Sequence, residues 1–188
     1  MRLGLDEAAV TELLAATEHA HALAVVAAGL LLDGLGSTAG LVGPTAAEPA
    51  GEEAAAVLAE IAAWAEGALG AGVPALWRAL AANPFHLEAT WRKERALMQD
   101  ARLTARDKRR VALGVAMNAR VRYAIEYHAA VLRRAGDTGA DLLEVLGVVD
   151  HFNALNLITS AMQIESDIRP PAGSADGRPR RAARREPP

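Results

Sequence analysis

Apolar positions along this chain recur at helical intervals, and no window sustains the two-residue alternation of a half-buried strand. Asp6 to Leu32 reads as one long helix, with Asp6 placed to cap it and Glu7 in its first turn. Asp33-Gly34-Leu35-Gly36 stops it, and the Gly-, Pro-, Ser- and Thr-rich stretch from Gly34 to Gly51 reads as a loop. Glu52 to Leu69 follows as a second helix, with Val57, Ile61, Trp64 and Leu69 roughly on one side, ended by Gly70-Ala71-Gly72. Pro74 opens a short helix to Ala82, and Asn83-Pro84 supplies the cap and first position of the next, Phe85 to Gln99.

Thr104 caps the longest predicted helix, Ala105 to Ala135, with Asp107 in its first turn and Gly136 just past its end. Asp137 or Thr138 then caps a short helix to Leu146, Gly147 separates it from the next, and a final helix runs from Val149 to about Ser166. Pro170-Pro171 ends regular structure. The expected fold is all-α, a bundle of about six or seven helices. It divides into an N-terminal helical pair with its loop (1–70), a core (71–168) and an Arg- and Pro-rich tail (169–188). The tail holds almost no large apolar side chain, so disorder is expected there.

Composition narrows the chemistry. The 188 residues are 52% hydrophobic, and Ala and Leu dominate, which suits helices because these residues lose least on entering one. There is no cysteine, which excludes a disulfide framework, thiolate metal sites and any thiol nucleophile. Basic residues are nearly all arginine, the exceptions being Lys93 and Lys108. With the abundant alanine, that looks like the product of a GC-rich bacterial genome. The net charge of −3 is uneven, about +4 in residues 169–188 and about −7 elsewhere, so the acidic body argues against nucleic acid as a partner. Met1 to Asp6 does not form a basic leader. The most apolar run, Ala20 to Leu32, is too short to span a bilayer. The expectation is a soluble cytoplasmic protein with no membrane partner.

The stretch Asp107 to His128 concentrates the candidate chemistry. On one unbroken helix Met117, Val121, Ala124, Ile125 and His128 share a face, which carries a histidine on an otherwise apolar stripe. From spacing alone it reads as a core histidine or as an acid–base group. His19 and His21 stand two residues apart and cannot share a helix face. No His, Asp and Glu pattern has metal spacing, and no glycine pattern cradles a phosphate, so neither metal nor cofactor is expected.

From about Gly72 to Asp167 the chain resembles the alkylhydroperoxidase-D-like, or carboxymuconolactone decarboxylase-like, superfamily. The pieces that carry the likeness are VPALWRALAANPFHLEATW, KRRVALGVAMNARVRYAIEYH and LEVLGVVDHFNALNLITSAM. The resemblance implies an all-α fold and a homo-oligomer, a trimer or a hexamer. Redox members carry Cys-x-x-Cys-x-x-x-His with a glutamate twelve residues earlier. On this chain those positions hold Val121, Ala124, His128 and Arg109, with Tyr123 matching a residue common before the second cysteine. Both thiols and the carboxylate are missing, which leaves no nucleophile for a peroxide.

The resemblance therefore implies non-redox chemistry on a small organic acid or lactone. His128 is the acid–base candidate, with Tyr123 as a weaker one. Val121, Ala124, Ile125 and Met117 would form the pocket wall. Arg109 and Arg120, with Arg110 beside them, could hold a carboxylate, and each also reads as a solvated arginine. His86 and Asn153 could line the same pocket, or serve as a helix cap and a helix–helix contact. Two readings stay open: an enzyme of the lyase or isomerase type, and a degenerate scaffold or ligand-binding relative. They separate on whether space opens beside His128 or large side chains fill it.

Overall fold

A computed structural model describes residues 6–30 and 50–163. Among them are seven helices and no strand: α1 (Glu7–Gly29), α2 (Glu52–Leu69), α3 (Ala75–Leu80), α4 (Pro84–Leu97), α5 (Ala105–Ala119), α6 (Arg122–Arg134) and α7 (Gly139–Ala161). The all-α expectation holds. Leu31 and Leu32, most of the Gly34–Gly51 loop and the 169–188 tail lie outside the described residues. The chain divides into two units, Met1–Asn153 and Ala154–Pro188. Residues 154–161 of the second form the last turns of α7.

Most helix starts follow the side chains that can satisfy exposed N–H groups. The Asp6 carboxylate accepts from the Ala9 amide at 2.8 Å, and the Asn83 side chain accepts from the His86 amide at 3.1 Å. Thr104 and Asp107 cap reciprocally: the threonine hydroxyl accepts from the Asp107 amide at 3.0 Å and donates to its carboxylate at 2.7 Å.

Two boundaries differ from the sequence expectation. The single helix expected from Ala105 to Ala135 is two. Arg120 adopts the left-handed conformation (φ 58°) and closes α5. Its amide donates to the Met117 carbonyl at 3.0 Å and the Val121 amide to that of Ala116 at 3.2 Å, the paired bonds of a Schellman turn. No glycine or proline marks this break, so residue-type signals pass over it. In the opposite sense, the two helices expected on either side of Gly147 are one, α7. A side chain at Gly147 would meet nothing within 4 Å. This glycine is neither a cap nor a close approach, and the helix simply carries its propensity cost of about 1 kcal/mol.

α1 packs across α5 and also touches α4 and α6, while α2 lies on α4 and α6. The N-terminal pair thus shares a core with the residues after 71. That core gathers Leu23, Ile61, Trp77, Leu87, Trp91 and Tyr127. Lys108, 1% exposed, ties α5 to α1 by donating to Glu12 and to the Gln99 carbonyl. α7 meets the bundle through Leu142, Val145 and Val149, the last with a methyl 3.3 Å from where a side chain at Gly114 would begin. Its other apolar side chains, Leu143, Leu146, Val148 and Phe152 among them, are exposed. Over Gly139–Ala161 mean hydropathy reaches 1.2, making α7 the one described helix long and apolar enough to cross a membrane.

Candidate functional site

Four helices each place one polar side chain on an apolar stripe, and the four meet in the core. α1 contributes His19 beside Ala16, Ala20 and Leu23. α4 contributes Glu94 in line with Leu87 and Trp91. α5 contributes Arg109 and α6 contributes His128. All four are at most 5% exposed. The Glu94 carboxylate divides its oxygens: Oε2 lies 2.8 Å from His19 Nε2, and Oε1 accepts from an Arg109 Nη at 2.6 Å. The second Arg109 Nη lies 3.4 Å from His128 Nδ1. The guanidinium carbon stands 5.9 Å from the ring centre of Trp64 and 5.7 Å from that of Tyr127.

The charges decide the protonation of each ring. Burial alone would raise the Glu94 carboxyl, but Arg109 and His19 outweigh it and hold the group down at about 2, so Glu94 is ionised. An ionised carboxylate only accepts, hence His19 donates to it from Nε2. Arginine cannot accept, so His128 Nδ1 must be the acceptor of that longer contact and Nε2 carries the proton. Burial, with the nearby Arg109 charge, pushes His128 down to about 3, so the ring is neutral near pH 7. A neutral ring with a protonated Nε2 is a hydrogen-bond donor and a poor proton acceptor. That Nε2 is buried with no hydrogen-bond partner among the described residues. Burial, with Glu94 adding to it, raises the Tyr127 phenol far above its ordinary range.

Space opens next to Arg109. A cavity of about 430 Å³ is bordered by Arg109, Trp64, Met98, Thr104, Arg106 and Leu132, with Asp100 also on its rim. Arg106 is tied to Asp137, and the Asp100 carboxylate accepts from the Ala105 amide at 2.6 Å. His128 is not among the lining residues. The Tyr127 ring lies edge-on to the His128 ring at 5.1 Å between centres. A second, smaller groove of about 210 Å³ lies between α1 and α4, lined by His19, Leu23, His86, Thr90 and Lys93 among others.

Residues 85–164, somewhat under half of the chain, match the pattern of the carboxymuconolactone decarboxylase family. Searches of curated proteins and of solved structures each returned no significant match.

Within that decarboxylase-family segment lie Glu94, Arg109 and His128, while His19 comes from α1 outside it. Where the family pattern implies a carboxylate on α5, this chain has Arg109, and the carboxylate facing it comes instead from α4. Val121 and Ala124 are buried in the main core, Met117 packs in the cluster of Leu113 and Leu132, and Ile125 packs against both. The turn at Arg120 separates Met117 on α5 from Val121, Ala124 and Ile125 at the start of α6. Tyr123 is buried, its hydroxyl accepting from the Leu76 amide at 3.0 Å. Arg120 is exposed at the break, His86 is exposed in the α1–α4 groove, and Asn153 is exposed on α7. None of these three borders the Arg109 cavity. Among the described residues no cluster of three or more His, Asp and Glu could hold a metal ion.

Sequence reasoning passed over Glu94 and weighed His19 only against His21. A signal was present in both cases. Glu94 and His19 are single ionisable residues on apolar helical stripes, the feature that singled out His128.

Proposed function

We propose that this decarboxylase-family chain is a non-redox small-ligand-binding protein whose ligand-facing group is Arg109. The carrying observation is a cavity of about 430 Å³ bordered by the buried Arg109 and walled by Trp64, Met98 and Leu132. Such a site suits a small organic acid or lactone with an apolar body and one carboxylate or carbonyl turned to Arg109. Glu94 and His128 occupy two of the guanidinium's five N–H groups and hold its plane. No sulfur is available for a thiol peroxidase cycle. The burial of His128 and its neutral, proton-bearing Nε2 weigh against acid–base turnover. Calorimetric titration with benzoate and with small lactone acids tests the reading. Saturable binding is expected, weakened at least tenfold by Ala68→Phe, which fills the cavity from α2. Absence of binding by every probe overturns it.

A non-redox lyase or isomerase is the second reading, favoured by one observation, the unpartnered His128 Nε2–H. It requires His128→Ala to lower turnover of a small acid or lactone by about 100-fold.

We also propose that the protein works in the cytoplasm as a homo-oligomer, a trimer or hexamer, with α7 in the interface. Its exposed Leu143, Leu146, Val148 and Phe152 support this. Asp150, His151, Asn153 and Asn156 interrupt its apolar surface and suit an interface better than a lipid interior.

A further inference from the structure

Two openings follow one seam between α2 and α4, and Trp64 stands where they meet. Glu60, Trp64 and Ala68 succeed one another at single-turn intervals on α2 and so share a face. On the N-terminal side of Trp64 lies a recess of about 370 Å³. It is lined by Glu60, Ala63 and Trp64 of α2 and by Trp91 and Arg95 of α4. On the C-terminal side, Trp64 and Ala68 border the Arg109 cavity, together with Met98 at the end of α4. Among the described residues Trp64 alone lines both openings.

The indole is held at this junction from several directions. Trp91 meets it edge-on at 5.7 Å between ring centres, and the Tyr127 ring centre lies at 6.2 Å. The Arg109 guanidinium carbon stands over it at 5.9 Å. Contacts of these kinds favour particular ring placements, so the indole is kept from swinging out of the seam. The recess beyond it is polar in one place. A single oxygen of Glu60 accepts from the Trp91 indole at 3.2 Å and from Arg95 at 2.8 Å. Because its one cation is already paired, the recess suits the apolar end of a molecule better than a second carboxylate.

We propose that Trp64 is a specificity-determining residue, the end wall that limits how long an acid the Arg109 cavity accepts. Shortening this side chain would join the cavity to the recess, which would then receive the far end of a longer ligand. The inference rests on the ligand-binding reading above and narrows its ligand to acids about one ring long. Trp64 lies on α2, outside the matched segment 85–164. Length selection is therefore a contribution of the N-terminal helical pair.

The test compares benzoate with 4-phenylbenzoate, which carries a second ring in line with the first, by calorimetric titration. The wild type should prefer benzoate by about tenfold or more, because the second ring meets Trp64. Trp64→Leu should shift that preference toward 4-phenylbenzoate by about tenfold or more, the scale of burying part of a further ring. Ala63→Phe, which fills the recess from α2, should cancel the shift when added to Trp64→Leu. A wild type that binds both acids equally overturns the inference while sparing the ligand-binding reading. So does an unshifted preference in Trp64→Leu, or a shift that survives Ala63→Phe. Absence of binding by either acid overturns that reading and the inference with it. Should Trp64→Leu fail to fold, Trp64→Phe, which loses less packing, takes its place: a shift of about threefold or more supports the proposal, and none refutes it.

Discussion

Replacing Glu94 by glutamine isolates the charge that holds the core polar cluster together. The substitution keeps size and one acceptor oxygen. It turns an amide N–H₂ toward either His19 or Arg109, each of which presents a donor, and it leaves Arg109 buried without a counter-charge. The pair is close (2.6 Å), with side chains 6% and 3% exposed, so water screens it little. Removing one partner of such a pair costs about 3–5 kcal/mol, a large part of the roughly 5–15 kcal/mol that keeps a domain folded. Urea unfolding at pH 7 measures the loss, with Glu18→Gln as the control. Glu18 meets Lys93 on the surface, where both side chains are well exposed, and a pair of that kind contributes at most about 1 kcal/mol. Arg109→Met should cost a similar amount to Glu94→Gln, because it strands the carboxylate. Combining the two should recover about 2 kcal/mol or more relative to the sum of the single changes. A Glu94→Gln cost below about 1 kcal/mol, with strict additivity in the double variant, would refute the reasoning.

Acid should weaken the fold from a higher pH than carboxylates alone would require. His128 is held at about 3 when folded and returns to about 6.5 when unfolded, so the unfolded chain gains the proton first and stability falls by about 2 kcal/mol between pH 7 and 5. The contribution of Glu94 is present above its ordinary range and fades only as pH drops toward about 2; a His128→Gln variant showing the same slope between pH 6.5 and 5 would contradict the assignment. Arg120→Gly should raise stability by about 0.5–1 kcal/mol in thermal unfolding, because the residue sits at φ 58° where a side chain is strained; a loss would show that the guanidinium contributes more than the strain costs. Light scattering should show a trimer or its multiple for the wild type, and Leu143→Glu with Phe152→Glu should dissociate it, whereas a 19.7 kDa wild-type monomer at micromolar concentration would remove α7 from the account.

The helical rhythm and the caps were legible because they depend on near neighbours. Asp6, Asn83 and Thr104 each cap the helix that their residue type foretold. The break at Arg120 was not legible, since its turn is formed by backbone bonds and imposed by packing, with no glycine to announce it. That missed break also blurred the site. It divides the face on which Met117 and His128 were aligned, so Met117 on one side and Val121 and Ala124 on the other pack in different clusters. Arg109 and His128 were found through the family frame. Glu94 and His19 are 75 residues apart, and nothing local announces that pairing. Only the crossing of α1 over the bundle brings them together.

The Arg109 guanidinium itself offers the most direct test of the ligand-binding reading. Nitrogen-15 spectra of arginine-labelled protein, assigned by difference against Arg109→Lys, can follow the Arg109 Nε–H while benzoate or a small lactone acid is added. The account predicts a saturable shift of that resonance, lost in Ala68→Phe. An Arg109 resonance that stays fixed at saturating ligand, while other arginines respond, would contradict it.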